Sequence, residues 1–211
     1  MQPIAFNAQS AKQADAPRAI NTTGKYIGGI LSAEMYDTDS GAEFIELIFK
    51  DTESGALARI TTCIRAKDGK ETRSMGYVQA LMGIVGAQTL TPTKGFFTER
   101  DGTKREGFHL PELEKKPCGM LLQRVNDCYQ NNQGEMKEFW SMAIASVFDS
   151  KTEQTYHEKA ANKPAKQIEQ RLSRLTDYDS KRLQDWKAHG SPVGTAQATA
   201  TVDDLGEDIP F

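Results

Sequence analysis

The sequence predicts a mainly β fold: a small five-stranded barrel with one helix between its third and fourth strands. Three strand-like runs occupy residues 24–66, and residues 74–88 then change to a helical period. Two more strand-like runs follow within residues 118–148. The length of 211 residues suits one such domain with extensions. We expect an added C-terminal helix and a disordered acidic tail after the barrel.

Paired glycines interrupt the first predicted strand. Residues 24–35 (GKYIGGILSAEM) are strand-like apart from Gly28-Gly29, which predict a bulge or a sharp bend. A turn follows, and residues 42–50 (AEFIELIFK) then alternate between two faces. A first strand that bends at its glycines is able to serve both halves of a barrel.

The third predicted strand carries two arginines on one face. Residues 57–66 (LARITTCIRA) alternate, so Arg59 and Arg65 point away from Ile60 and Ile64. The loop beyond the strand adds the basic residues Lys67, Lys70 and Arg73. This stretch therefore holds five basic residues and only two acidic ones, Asp68 and Glu71, which is a local excess of positive charge.

A helix and a long connection follow. Residues 74–88 (SMGYVQALMGIVGAQ) have an apolar stripe at helical spacing, with Ser74 as the expected N-cap. Residues 91–117 are predicted to form a long loop or hairpin, since they are rich in glycine, proline and charge. This segment holds three phenylalanines and six basic residues interleaved with five acidic ones, so a merely solvated hairpin is the alternative to a binding surface.

The last predicted strands are residues 118–129 and 136–148, joined by an Asn- and Gly-rich turn. Within the second of them, Phe139 is out of phase with Trp140 and Met142, which look like core. Phe139 is therefore expected to be exposed. Residues 165–187 are predicted to form one amphipathic helix that packs on the barrel or on another subunit.

Three strands, a helix, a loop-rich segment and two strands follow the order of the five-stranded oligonucleotide-binding (OB) barrel, in which the helix closes one end. Other small antiparallel α+β folds share this order. The predicted organisation is a flexible N-terminal arm (1–21), an OB-like domain (22–150), a helical extension (151–187), a flexible linker (188–202) and an acidic tip (203–211).

The C-terminal segment is predicted to dock partners. A linker of small residues precedes the acidic sequence DDLGEDIPF at 203–211. Phe211 is able to fill an apolar pocket, and the acidic side chains are attracted to a basic surface. Pro210 restricts the backbone in advance, which lowers the entropy lost on capture.

The ending Asp208-Ile209-Pro210-Phe211 resembles the C-terminal tip of bacterial single-stranded DNA-binding proteins. The resemblance implies a protein that binds single-stranded DNA with little sequence specificity during replication, recombination or repair, in the cytoplasm of a bacterial cell. The tip would recruit other replication, repair and recombination proteins. The residues of the tip that would bind them are Asp203, Asp204, Glu207, Asp208, Ile209, Pro210 and Phe211. The long segment 91–117 and the predicted helix 165–187 depart from the family pattern and suggest a bacteriophage or mobile-element counterpart, and a homo-oligomer is an open expectation.

Single-strand binding needs cations for the phosphates and flat side chains for the unstacked bases. The candidate DNA-binding residues are Arg59, Arg65, Lys67, Lys70, Arg73, Lys94, Phe96, Phe97, Arg100, Lys104, Arg105, Phe108 and Phe139. Tyr129 and Phe44 are further stacking candidates, although Phe44 belongs to the core if both faces of its strand are covered.

Composition argues against several other classes. Four of the 29 acidic residues and none of the 26 basic ones lie in 203–211, so the remainder of the chain is near neutral. Three cysteines without a CxxC pair argue against a disulfide framework, and zinc bound by Cys118, Cys128 and His109 is a minor alternative. We expect no cofactor, no metal, no secretory signal and no membrane span.

Other functions remain open at this stage. The protein has no phosphate-binding loop and no nucleophile elbow, so we expect no enzymatic activity; a metal-dependent nuclease built on Glu43, Glu46 and Asp51 is a minor alternative. The main alternative is an interaction protein that uses the tip to capture or block host replication and repair enzymes without coating DNA. A single-strand annealing recombinase is a third hypothesis.

Overall fold

The computed structural model describes residues 18–98, 103–131 and 133–189, and this part of the chain is mainly β, as predicted. The strands are β1 (Gly24–Asp37), β2 (Glu43–Asp51), β3 (Leu57–Arg65), β4 (Thr93–Thr98), β5 (Lys104–His109), β6 (Pro117–Gln130), β7 (Met136–Phe148) and β8 (Tyr178–Asp179). The helices are α1 (Arg73–Val85), α2 (Tyr156–Ala160), α3 (Gln167–Leu172) and α4 (Lys181–His189). None of these helices is long and apolar enough to cross a membrane.

Strand β1 organises a single open sheet whose ladders are antiparallel, apart from one short parallel pair between β6 and β8. One edge of β1 pairs with β2 from Gly28 to Asp37. The other edge pairs first with β6, over Gly24–Gly29, and then with β5 at Glu34 and Met35. The predicted irregularity is confirmed as a register shift between Ile30 and Ser32, directly after the paired glycines.

Close backbone contact explains the glycine at 28. A Cβ atom at this position would overlap the carbonyl group of Lys50 on β2 and the ring of Phe49. Only glycine lets the two strands approach this closely where β1 is paired on both edges. Gly28 therefore lies where β1 is hydrogen-bonded to β2 on one edge and to β6 on the other.

The main core lies between the sheet and α1. Ile45, Leu47 and Phe49 of β2 are buried in it, as their alternation predicts. Helix α1 begins at Arg73 with Thr72 as its N-cap, so the predicted N-cap at Ser74 is wrong. Thr72 is the last extended residue, and its hydroxyl donates to the carbonyl of Cys63 instead of capping the helix.

The segment 91–117 is a hairpin followed by an anchored turn. Strands β4 and β5 pair with each other, and β5 joins β1 through only two residue pairs. Leu110 and Leu113 in the following turn are fully buried, and the backbone of Lys115 donates to the carbonyl of Ile30. The hairpin therefore projects from a base that is fixed to the core.

The prediction of one helix over residues 165–187 is wrong. The segment divides into α3, the short strand β8 and α4. Tyr178 and Asp179 pair with β6 at Val125 and Asn126, and these sheet hydrogen bonds replace a turn of helix. The Ser180 hydroxyl then accepts from the backbone of Leu183 and restarts the helix.

The sheet has eight strands, and the five predicted ones correspond to β1, β2, β3, β6 and β7. Residues 18–20, at the end of the predicted arm, lie along the start of β3, where Ile20 is buried and donates to the carbonyl of Leu57. Residues 1–17, the linker from 190 onward and the acidic tip lie outside the described residues.

We predict that Gly28→Ala lowers the free energy of unfolding by about 3 kcal/mol, because the new methyl group overlaps the backbone of β2. Gly76→Ala is the matched control, since its Cβ meets no neighbouring atom and alanine favours the α1 helix by about 1 kcal/mol. Urea unfolding of both variants measures the difference. Equal stabilities would contradict the role given to Gly28.

Candidate nucleic-acid interface

The β4–β5 hairpin presents phenylalanines on both of its faces. Residue pairing places Phe97 opposite Arg105, and Phe96 opposite Glu106. Because side chains alternate along a strand, Phe96 shares its face with Phe108. We call the face with Lys94, Phe96, Lys104 and Phe108 the open face. The face with Phe97, Arg105 and His109 is the anchored face.

Ionic and ring contacts fix the anchored face to β1. Both terminal nitrogens of Arg105 donate to the carboxylate of Glu34, at 2.5 and 2.6 Å, and Glu34 is buried. The Phe97 ring stacks on His109 with 3.8 Å between centroids. Gly107 leaves room for this packing, since a Cβ there would lie 2.5 Å from Glu34 Oε1 and 2.7 Å from the Phe97 ring.

Both ring nitrogens of His109 make contacts where the β4–β5 hairpin joins the rest of the sheet. Its Nδ1 lies 2.9 Å from Glu114 Oε1, and its Nε2 lies 3.2 Å from the carbonyl oxygen of Phe96. Glu114 Oε1 also accepts from the backbone N–H of Ala33 on β1. The strands that carry the open face are therefore held in position before any ligand binds.

The open face exposes two large apolar side chains side by side. Phe96 is 63% exposed and Phe108 is 48% exposed. They are diagonal neighbours across the ladder, a relation that places two residues about 7 Å apart. Lys94 and Lys104 on the same face are exposed, and Lys94 is paired with Glu106 at 2.7 Å. This face combines rings for stacking with cations for phosphates.

Arg59 and Arg65 of β3 are both ion-paired with β2, and a register shift interrupts the strict alternation between them, where the pairing passes from Cys63–Phe44 to Arg65–Glu43. Arg59 lies 3.1 Å from Glu46, and Arg65 lies 2.6 Å from Glu43. Each pair joins a partly exposed arginine, at 49% and 37%, to a largely covered glutamate, at 18% and 23%, so each arginine keeps an exposed side that a phosphate is able to approach. Both arginines remain candidates for DNA contact.

The other predicted cations lie in the β3–α1 connection or outside the described residues. Lys67, Lys70 and Arg73 are exposed, and Lys70 is paired with Asp68 at 2.7 Å. Arg100 lies outside the described residues. Lys67 and Lys70 therefore precede α1, Arg73 is its first residue, and all three lie outside the β4–β5 hairpin.

Phe44 is a core residue in this fold. It is buried with Ala42 and Cys63, and Tyr36 stacks on it with 5.7 Å between ring centroids. Burial, with a smaller contribution from the carboxylates of Glu46 and Glu34, raises the pKa of Tyr36.

Phe139 lies on the β6–β7 hairpin, apart from the β4–β5 hairpin in the sheet. It is half-buried and meets Tyr129 edge to face at 5.7 Å between centroids, while Tyr129 itself is exposed. The structure does not place either ring on the open face.

Sequence reasoning missed two residues of the same hairpin. Trp140 was predicted to be core, but it is 47% exposed, and the guanidinium carbon of Arg124 lies 3.9 Å from its ring centroid. The sequence signal was Arg124 itself, which follows Leu122 on the inward-facing alternation of β6. A charged side chain at an inward-facing position, such as Arg124, indicates that this part of β6 is no longer packed against the core.

The zinc alternative does not fit the fold. Cys118 and Cys128 stand ten residues apart on the extended strand β6, a span of about 33 Å, so they cannot share one ion. Burial raises the pKa of Cys118 to about 12, which keeps its thiol protonated at neutral pH. Among the described residues, no group of three or more His, Cys, Asp or Glu side chains is placed to hold a metal ion.

The acids proposed for a nuclease also serve separate contacts. Glu43 and Glu46 pair with the two arginines of β3, while Asp51 accepts from the backbone N–H and hydroxyl of Ser54 in the following turn. These three carboxylates do not converge on a common site.

No protein-family model matches the chain, and no curated protein sequence matches it significantly.

We predict unequal losses of stability when two adjacent phenylalanines are replaced by alanine. Phe97→Ala should lower the free energy of unfolding by about 1–3 kcal/mol, because it removes the stacking on His109 and buried apolar area. Phe96→Ala should change it by less than about 0.5 kcal/mol, since most of that ring is exposed. Urea unfolding measures both values, and equal losses would show that the two faces are not distinct.

Proposed function

We propose that the protein binds single-stranded DNA with little sequence preference, using the open face of the β4–β5 hairpin. The observation that carries this proposal is the exposure of Phe96 and Phe108 as neighbours on a hairpin with a fixed base. Exposed apolar groups of this kind usually mark a binding surface. Flat rings accept unstacked bases of any type, which gives affinity without sequence readout.

Cations on and near the hairpin supply the electrostatic part of the binding. Lys94 and Lys104 lie on the open face itself. The arginines of β3 and the basic residues of the loop after it extend positive groups beyond the hairpin, and those that are ion-paired keep an exposed side at which a phosphate is able to compete with the carboxylate. Binding through such exchange depends strongly on salt.

The domain that carries the hairpin is proposed to be an OB-type barrel. Strands β1, β2, β3, β6 and β7 pair in the order that such a barrel requires, and α1 packs against β3, β6 and β7. Strand β3 also lies close to β7, where a barrel would close. In this assignment the β4–β5 hairpin is an insertion between α1 and the fourth barrel strand.

The biological setting is proposed from the acidic tip. Residues 203–211 would recruit replication, recombination and repair proteins while the domain holds the single strand, as the resemblance of the tip implies. A bacteriophage origin would account for the departures of the body from the bacterial pattern.

We predict that Phe96→Ala and Phe108→Ala each weaken binding to oligo-dT by about 5- to 150-fold, the loss expected for one stacked base. The slope of affinity against salt should not change, because no charge is removed. Tyr156→Ala is the matched control, since Tyr156 is also 48% exposed but lies on α2. Fluorescence anisotropy with labelled oligo-dT measures all three.

If the parent protein does not bind oligo-dT at low salt, the proposal is wrong, and partner capture without DNA coating becomes the better account. If it binds and both phenylalanine variants match the parent, the strand lies elsewhere on the protein.

We predict that the double variant Lys94→Ala/Lys104→Ala flattens the slope of log affinity against log salt by up to about 1.4, because each phosphate contact on a single strand contributes about 0.7. Lys151→Ala/Lys163→Ala, at exposed positions beyond β7, should keep the parent slope. The same titration of Arg59→Ala/Arg65→Ala tests β3, where flattening is also expected. If both of these double variants keep the salt slope of the parent protein, the four residues do not contact the phosphates.

A further inference from the structure

Trp140 is exposed although its strand position points toward the core side of the sheet. It shares the alternation of Met142 and Ile144, which are buried in the main core. The pairing of β6 with β1 ends at Leu122, so the rest of the β6–β7 hairpin continues past β1. Trp140 lies in this extension, where the core no longer covers it.

Arg124 holds the Trp140 ring and makes one long ion pair, with Asp177. The guanidinium stacks on the indole at 3.9 Å, which fixes the ring and leaves about half of the side chain exposed. The nearest carboxylate, Asp177, is 3.7 Å away, and the guanidinium makes no hydrogen bond within the described part of the chain. Arg59, Arg65 and Arg105 differ, since each donates to a glutamate.

The carboxylates beside Trp140 are already compensated. Asn126 Nδ2 donates to both Glu138 and Asp179, at 3.0 and 3.1 Å. Lys187 of α4 approaches the same two carboxylates, at 3.6 and 3.0 Å. Arg124 is consequently the cation that remains available at the ring.

Two polar atoms at this place are buried without a partner. They are Arg124 Nε and Asn126 Oδ1, and Asn126 lies opposite Trp140 in the ladder. An unsatisfied buried donor or acceptor costs about 1–3 kcal/mol in the folded protein. Because both atoms are covered by the protein, a ligand reaches only the exposed third of the Arg124 side chain beside them.

We propose that Trp140 and Arg124 form a subsite for one nucleotide unit of single-stranded DNA. The base stacks on the free part of the indole, and the guanidinium N–H groups donate to the adjoining phosphate. This inference rests on the proposed function and extends the strand from the β4–β5 hairpin to the β6–β7 hairpin. Arg124 orients the ring before binding, so the subsite needs little rearrangement.

The two tryptophans of the chain make the subsite directly observable. Trp186→Phe leaves Trp140 as the sole tryptophan. Titrating this variant with unlabelled oligo-dT of about 20 nucleotides should quench the Trp140 emission to the same end point at which anisotropy of a labelled strand saturates. Saturated binding with unchanged emission would overturn the subsite and leave the proposed function intact.

Substitutions separate stacking from structure. Trp140→Ala should weaken oligo-dT binding by about 5- to 150-fold, whereas Trp140→Phe, which keeps a flat ring, should stay within about 5-fold of the parent. Arg124→Lys keeps the charge and loses the planar stack, so it should weaken binding while retaining most of the salt slope. Urea unfolding of each variant shows whether a loss of affinity comes from a destabilised fold. If Trp140→Ala or Arg124→Lys is destabilised, the affinity of Trp140→Phe and the quenching of Trp140 emission test the subsite instead.

The outcomes distinguish this inference from the function on which it rests. Trp140→Ala with parent affinity, while Phe96→Ala is impaired, would remove the subsite alone. Absence of oligo-dT binding in the parent would remove both. Quenching by oligo-dT together with the predicted loss in Trp140→Ala supports the subsite.

Discussion

The close passage of β1 over β2 at Gly28 is the constraint on which the rest of the sheet depends. Because no side chain stands at this position, β1 pairs with β6 on one edge while it begins to pair with β2 on the other. The register shift that follows redirects the strand toward β5. One strand thereby joins the core sheet, the β6–β7 hairpin and the β4–β5 hairpin, and it sets where each hairpin leaves the core.

Both hairpins extend beyond the layer that would bury their side chains, and this explains where the exposed rings occur. Strand β5 pairs with β1 only at Phe108 and His109, so Phe108 lies at the end of this ladder and Phe96, opposite Glu106, lies beyond it. Strand β6 leaves β1 at Leu122, and Trp140 is exposed in the part of the hairpin that continues. Ionic contacts at the hairpin bases, above all between Arg105 and the buried Glu34, hold these rings in place without covering them.

Many charged side chains of the sheet have partners of opposite charge within the protein. The arginines of β3 are matched by glutamates on β2, which suits a body with nearly equal numbers of basic and acidic residues. Exposed pairs are weak and are screened by salt, so a polyanion competes with them effectively only at modest ionic strength. Arg124 is different because its guanidinium stacks on an aromatic ring and reaches a carboxylate, that of Asp177, only at 3.7 Å.

Local pattern determined much of this protein: the alternation of β1, β2, β3, β6 and β7, the helical period of α1 and the irregularity after Gly28-Gly29 are all readable in sequence. It also predicted that Arg59 and Arg65 share one face of β3, but alternation could not show the register shift that lies between them in the β2–β3 ladder. Tertiary structure decided what depends on distant partners. Pairing of Tyr178 with Val125 broke a segment whose own period is helical, and the end of the β1–β6 ladder exposed Trp140 although its phase is that of the core. Likewise, the alternation of side chains along β4 puts Phe96 and Phe97 on opposite faces, but it does not say which face is covered. Only the assembled sheet shows that Phe97 stacks on His109 while Phe96 is exposed to solvent.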